Sequence, residues 1–246
     1  MGSPRFKVVI PARYASTRFP GKVLADIHGK PMLQHVYERA LEGGAGEVII
    51  ATEDRRVEEA ARKFGAAVCM TSPEHASGSD RIAEVARQLK WKDSTLIVNV
   101  QGDEPFIPPD NIAQVAANLA QHKVEMATLR TPIMDAADVP NPNVVKVVVD
   151  AAGMALYFSR AAIPYQRDPL SGGSAQYYRH IGLYAYRNDF LQRYTRTPPV
   201  PPEEAEKLEQ LRALWLGARI HVAVAQIAPA VGVDTPEDLA RILRHK

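Results

Sequence analysis

The sequence holds one cysteine, Cys69, among 246 residues. An internal disulfide is therefore impossible, and no Cys/His cluster has the spacing of a zinc site. Such sparse cysteine suits a reducing compartment. No apolar run approaches the roughly 20 residues of a membrane span. The start, Met1-Gly2-Ser3-Pro4-Arg5, leads into only five strand-like residues, too few for a secretory signal. An excess of one charge is also missing: 30 Lys and Arg face 28 Asp and Glu, a net +2. That balance argues against a protein that coats nucleic acid, as does the lack of interleaved basic and aromatic residues. Neither the dinucleotide fingerprint GxGxxG nor the P-loop GxxxxGK[ST] occurs in the first loop. The expectation is a cytoplasmic protein with neither a membrane nor a nucleic-acid partner.

What is there is globular: 46% hydrophobic and 24% charged. Short β-branched runs at 6–10, 48–51, 67–70 and 96–100 read as buried strands. Between them, apolar residues at helical period mark helices from Pro31, around Val57 to Phe64, over 79–89 and over about 111–121. Near-continuous apolar strands separated by helices predict an α/β fold. Its mixed, mostly parallel sheet carries helices on both faces. We expect a single α/β domain over 1–246 with an inserted antiparallel subregion at 135–190. That subregion comprises a hairpin (144–149 with 154–158), a flexible Ser171-Gly172-Gly173-Ser174 loop and a strand at 180–186. It is a candidate dimer contact and pocket wall. A long helix is expected over 203–216, after Pro198, Pro199, Pro201 and Pro202. A strand at 220–225 follows, then a last helix with Thr235 and Pro236 at its start. Trp215 is expected on an apolar helix face and Cys69 in the core.

In an open parallel sheet, ligands sit beyond the carboxyl ends of the strands. The first such loop carries three cations within ten residues, Arg13, Arg18 and Lys22. Two guanidinium forks and one ammonium suit the oxygens of a triphosphate, whose leaving pyrophosphate needs neutralising. A solvated basic loop has the same composition, so the loop alone leaves both readings open.

The segment Ile10-Pro-Ala-Arg-Tyr-Ala-Ser-Thr-Arg-Phe-Pro-Gly-Lys22 resembles the N-terminal signature of the 3-deoxy-manno-octulosonate cytidylyltransferases (CMP-Kdo synthetases). Further matches follow in order along nearly the whole chain: His75 to Arg81, Asn99 to Pro105, Arg179 to Tyr184, Leu208 to Arg212 and Gly232 to Asp238. Ser79 stands where the family usually has Thr, and Phe19 where it often has Leu; both keep the chemical type.

The resemblance implies a Rossmann-like sugar-nucleotide transferase fold, CTP and an acid sugar as substrates, Mg²⁺ as cofactor and a homodimer. It implies CTP contacts from Arg13, Arg18, Lys22, Ser77, Gly78, Arg81 and Gln101. Asp103 and Asp234 become the Mg²⁺ ligands and, with Lys22 and Arg13, the catalytic set. Two carboxylates suit an ion that keeps most of its shell for water and substrate. By position alone, Asp103 is equally a turn residue, Asp234 a helix cap and Ser77 an N-cap. For the sugar it points to Gln101, Arg160, His180, Tyr184, Glu209 and Gln210. Arg160 equally reads as a surface ion pair and His180 as a structural strand residue. Two other readings stay open: transfer to another acid sugar, such as a sialic acid or an amino-substituted octulosonate, and a CTP-binding sensor without transfer.

Overall fold

The computed structural model describes residues 4–15, 19–168, 175–230 and 232–244. The first strand, β1 (Lys7–Pro11), leads into a long loop that holds a two-stranded hairpin, β2 (Asp26–Ile27) and β3 (Lys30–Pro31). Helices and strands then alternate: α1 (Met32–Glu42), β4 (Glu47–Thr52), α2 (Arg55–Lys63), β5 (Ala67–Met70), α3 (Gly78–Gln88), β6 (Leu96–Asn99) and α4 (Pro109–His122). The second half follows as β7 (Met126–Pro132), β8 (Lys146–Val149), β9 (Ala155–Ser159), β10 (Tyr178–Arg187), α5 (Asn188–Arg196), α6 (Pro201–Glu206), α7 (Gln210–Trp215), β11 (Ile220–Val224) and α8 (Pro236–Arg244).

The main sheet runs β11-β7-β10-β6-β1-β4-β5. Strand β1 is parallel to β4 and β6, β4 to β5, and β7 to β11. Only β10 runs against its neighbours β6 and β7 in this row. This is the mostly parallel α/β sheet expected. Alternation along each strand loads both faces. Val8 and Ile10 join Leu33, Val36, Ile112 and Val115 in one core. Val9, Ile49 and Ile97 join Ile82, Val85, Phe190 and Leu191 in the other. Cys69 is buried, as expected.

The stretch 135–190 is woven into the sheet. Strands β8 and β9 form the hairpin and hang from β10 through Arg179 opposite Lys146, while β10 lies between β6 and β7. The Ser171–Ser174 loop lies outside the described residues. Strand β7, helix α5 and the small β2–β3 hairpin escaped the sequence reading. Strand β7 lacked the short apolar signature because Thr128, Arg130 and Thr131 interrupt it. Helix α5 follows β10 with no breaker between them.

The long helix expected over 203–216 is two helices. Helix α6 starts earlier, with Pro201 and Pro202 inside its first turn, where a missing N–H costs nothing. It ends at Lys207, whose φ is +53°, and α7 begins at Gln210. Trp215 is 61% exposed, so it does not close an apolar face.

One stacked pair of rings, its His221 member buried, gives a pH prediction. His122 and His221 stack with centroids 3.6 Å apart. Burial, reinforced by His122, lowers the His221 pKa from 6.5 to about 4. The unfolded chain takes up a proton at this ring below about pH 6.5, the folded protein only below about pH 4. Stability therefore falls as pH drops through that window. Thermal melts across this range should show a falling midpoint, with a shallower slope in His221→Asn. Equal slopes would remove His221 from the account.

Candidate active site

The strand ends of β1 and β6 bring the key loops together, and close backbone approach requires small residues there. A Cβ on Gly102 would stand 3.0 Å from the Pro11 carbonyl oxygen, and one on Gly78 would stand 3.3 Å from the Pro11 ring. The basic loop after β1, the start of α3 and the acidic loop after β6 thus meet around Pro11. Arg13 adds a tether, donating from Nη2 to the His75 carbonyl at 2.7 Å.

A fourth segment arrives from the far end of the chain. The Val233 N–H donates to the Asp103 carbonyl at 3.0 Å. Thr235 and Asp238 cap α8 reciprocally. Asp234 is therefore not the cap, and its carboxylate turns to Lys22. The Lys22 ammonium donates to Asp103 Oδ2 at 2.5 Å, to Asp234 Oδ1 at 3.1 Å and to the Val233 carbonyl at 3.4 Å. Burial works against the charge on Lys22, yet Asp103 and Asp234 outweigh it and hold its pKa above the usual value. Neighbouring Glu104 shows the opposite outcome. Burial pushes its carboxyl up to about 7, helped by Asp103 and Asp234 and opposed by Arg179.

Beside this charge cluster lies a cleft lined by Gly78, Ser79, Gln101, Tyr184, Glu209 and Gln210, with Asn99, Tyr186, Tyr194 and Lys207 completing its polar wall. The antiparallel register sets Tyr184 opposite Asn99. Tyr184 and Tyr186 stack at 6.0 Å, and Tyr186 and Tyr194 at 6.4 Å. Ser79 Oγ donates to Glu209 Oε2 at 3.3 Å, and Tyr194 OH donates to the Glu209 carbonyl at 2.9 Å. Glu209 and Gln210 lie at the start of α7, not mid-helix as expected. Asn99, Tyr186 and Tyr194 were not singled out from sequence. The i, i+2 spacing of Tyr184 and Tyr186 was the available signal for one of them.

Other residues picked from sequence also have structural partners. Ser77 caps α3 in a reciprocal box with Asp80. Arg81 is fully buried, paired with Glu53 at 2.7 Å and bonded to Thr71. His180 packs edge-on to Phe158 at 5.0 Å and lies 3.1 Å from Thr128 Oγ1. Burial lowers its pKa to about 3, so it stays neutral. Neither His180 nor Arg160 is among the cleft-lining residues. Arg18 lies outside the described residues.

Among the described residues, no group of three or more His, Cys, Asp or Glu is placed to hold a metal ion. Asp103 and Asp234 nevertheless fit a hard cation. They are oxygen donors from distant segments that already converge on one positive charge, and Mg²⁺ commonly takes only one or two protein carboxylates.

Residues 7–220 match the cytidylyltransferase family. The chain is 60% identical over 243 residues to a 3-deoxy-manno-octulosonate cytidylyltransferase of Idiomarina loihiensis, covering 96% of each. The chain belongs to the 3-deoxy-manno-octulosonate cytidylyltransferase family. A relative of the same name from Aeromonas hydrophila is 58% identical, covering 96% of this chain and 97% of its own. A solved CMP:2-keto-3-deoxy-manno-octonic acid synthetase complexed with CTP superposes with a TM-score of 0.90 at 45% identity, over 98% of both chains. The sheet order described above is therefore that of a cytidylyltransferase. Among the described residues, no helix is long and apolar enough to cross a membrane.

Proposed function

We propose that this chain transfers CMP from CTP to the anomeric hydroxyl of 3-deoxy-D-manno-octulosonate, releasing pyrophosphate and supplying an activated sugar for lipopolysaccharide biosynthesis. The observation that carries this reading is the meeting of Lys22, Asp103 and Asp234 beside a polar cleft at the strand ends. The sugar oxygen attacks the α-phosphorus; that O–P bond forms as the bond to the β-phosphate oxygen breaks. Lys22, Arg13 and Arg18 oppose the charge that grows on the departing pyrophosphate. Ser77, Gly78, Arg81 and Gln101 belong to the CTP side, Arg81 acting from below by holding the start of α3. Gln101, Tyr184, Glu209 and Gln210 face the sugar hydroxyls, and neutral His180 braces Tyr184, whose ring lies 5.2 Å away. Asp103 and Asp234 would hold Mg²⁺, which when bound supplies positive charge at the reacting phosphate and polarises the attacking hydroxyl.

The working unit in this reading is a cytoplasmic homodimer. Leu156, Tyr157, Met134 and Tyr165 on or near the β8–β9 hairpin are exposed apolar side chains that suit a contact with a second copy.

The deciding assay is pyrophosphate release with CTP, Mg²⁺ and the octulosonate, with UTP and a panel of other acid sugars as controls. Release that requires CTP and prefers the octulosonate is expected. No release, or equal release with UTP, overturns the reading. Lys22→Ala should lower turnover about 10²–10³-fold, the scale of losing one charge-stabilising donor. Wild-type turnover in that variant would take Lys22 out of the chemistry.

A further inference from the structure

The break between α6 and α7 shapes one wall of the cleft, because Lys207, Leu208, Glu209 and Gln210 all line it. The local sequence does not demand a break. Glu206-Lys207-Leu208-Glu209-Gln210 contains neither Gly nor Pro, and Lys207 adopts a left-handed conformation that non-glycine residues rarely take. Such a turn persists where its surroundings hold it.

The holder is Arg160, at the end of β9. Its backbone N–H donates to Glu206 Oε2 at 2.8 Å, and its Nε donates to the Glu206 carbonyl at 2.6 Å. Nη2 donates to the Lys207 carbonyl at 3.4 Å, and Nη1 reaches the Pro142 carbonyl at 2.8 Å. Ser159 Oγ secures the same carboxylate, donating to Glu206 Oε1 at 2.6 Å. The last carbonyls of a helix lack partners within it, and a cation there is favoured. A guanidinium fork spans successive carbonyls in a way an ammonium cannot.

We infer that Arg160 is a positioning residue for the acceptor. By bonding the carbonyls of Glu206 and Lys207 it sets the 207–210 turn, and so places Glu209 and Gln210, without itself touching the sugar. This departs from the direct sugar contact that resemblance implied, and it rests on the proposed transfer to an acid sugar.

The test compares wild type, Arg160→Met, Arg160→Lys, Gln210→Ala and the Arg160→Met/Gln210→Ala double variant. CTP and acceptor are varied separately. Arg160→Met should raise the acceptor KM about tenfold, the scale of losing charge-assisted bonds. The CTP KM should move less than about twofold. Arg160→Lys should recover only part of the loss, and it carries the same comparison if Arg160→Met does not fold. In the Gln210→Ala background Arg160→Met should add little, because both act on one turn. Multiplying penalties, full recovery by Arg160→Lys, or an unchanged acceptor KM would overturn the inference. Hydrogen exchange of the 207–210 amides without substrate should quicken in Arg160→Met. That readout survives even if wild type proves inactive with the octulosonate, an outcome that would count against the proposed reaction only. Unchanged exchange would count against the positioning role only.

Discussion

Asp103→Asn and Asp234→Asn are each expected to lose pyrophosphate release by at least about 10³-fold while the fold survives. Each carboxylate contributes twice. In the proposed cation site it is one of two oxygen donors with no third beside them among the described residues, and it helps to hold Lys22 charged against burial. Asparagine keeps the shape but removes the charge and one good acceptor. The cost to folding should stay below about 1 kcal/mol, because the two side chains are 31% and 47% exposed and pairs of that exposure are worth little. Turnover, a thermal melt and binding of Mn²⁺ in the presence of CTP form the check. Either variant retaining more than about a tenth of wild-type turnover at low Mg²⁺ would end the idea of a shared cation site.

Arg212→Met is expected to produce the largest loss of stability among the substitutions considered, about 3–5 kcal/mol. Arg212 and Glu203 form a doubly bonded pair whose side chains are 7% and 8% exposed. Arg212 also donates to the Thr197 carbonyl at 3.0 Å and sits 4.9 Å from the centre of the Tyr194 ring. Among the described residues, removing the guanidinium leaves the Glu203 carboxylate buried with a bond from the Val200 N–H. For a chain of this size each kcal/mol lowers Tm by about 2–4 °C, so a drop of roughly 6–20 °C should appear. The double variant Arg212→Met/Glu203→Leu should recover most of it, since an uncompensated charge, not the absence of the pair, is what costs. A single-variant loss under about 1 kcal/mol would show that Glu203 finds water or another partner.

These two expectations mark how far the residues could be read without the structure. The basic loop, the acidic loop after β6 and Asp234 stand out because each pairs a turn signal with charged chemistry at a strand end. Their convergence on Lys22 is the expected result of a parallel sheet that delivers its loops to one edge. Arg212 gave no such signal: a charged residue within a helix reads as solvated until its partner is known. The surroundings of Arg160 and His180 were hidden for a related reason. Sequence tells that a cation or an imidazole is near a strand end, not whether carbonyls, aromatic rings or a ligand will occupy it.

By itself the sequence determined the α/β class, the alternation of β1 through α4 and the candidate phosphate loop, because period, glycine and proline act within a few residues. Only the tertiary structure decided that β10 enters the sheet antiparallel between β6 and β7, that α6 and α7 part at Lys207, and that Tyr186, Tyr194 and Asn99 share a wall with Tyr184. Those features depend on contacts between residues far apart in the chain: strand register, carbonyls capped from another element, and rings stacked across helix and sheet. Local propensity carries no record of such partners.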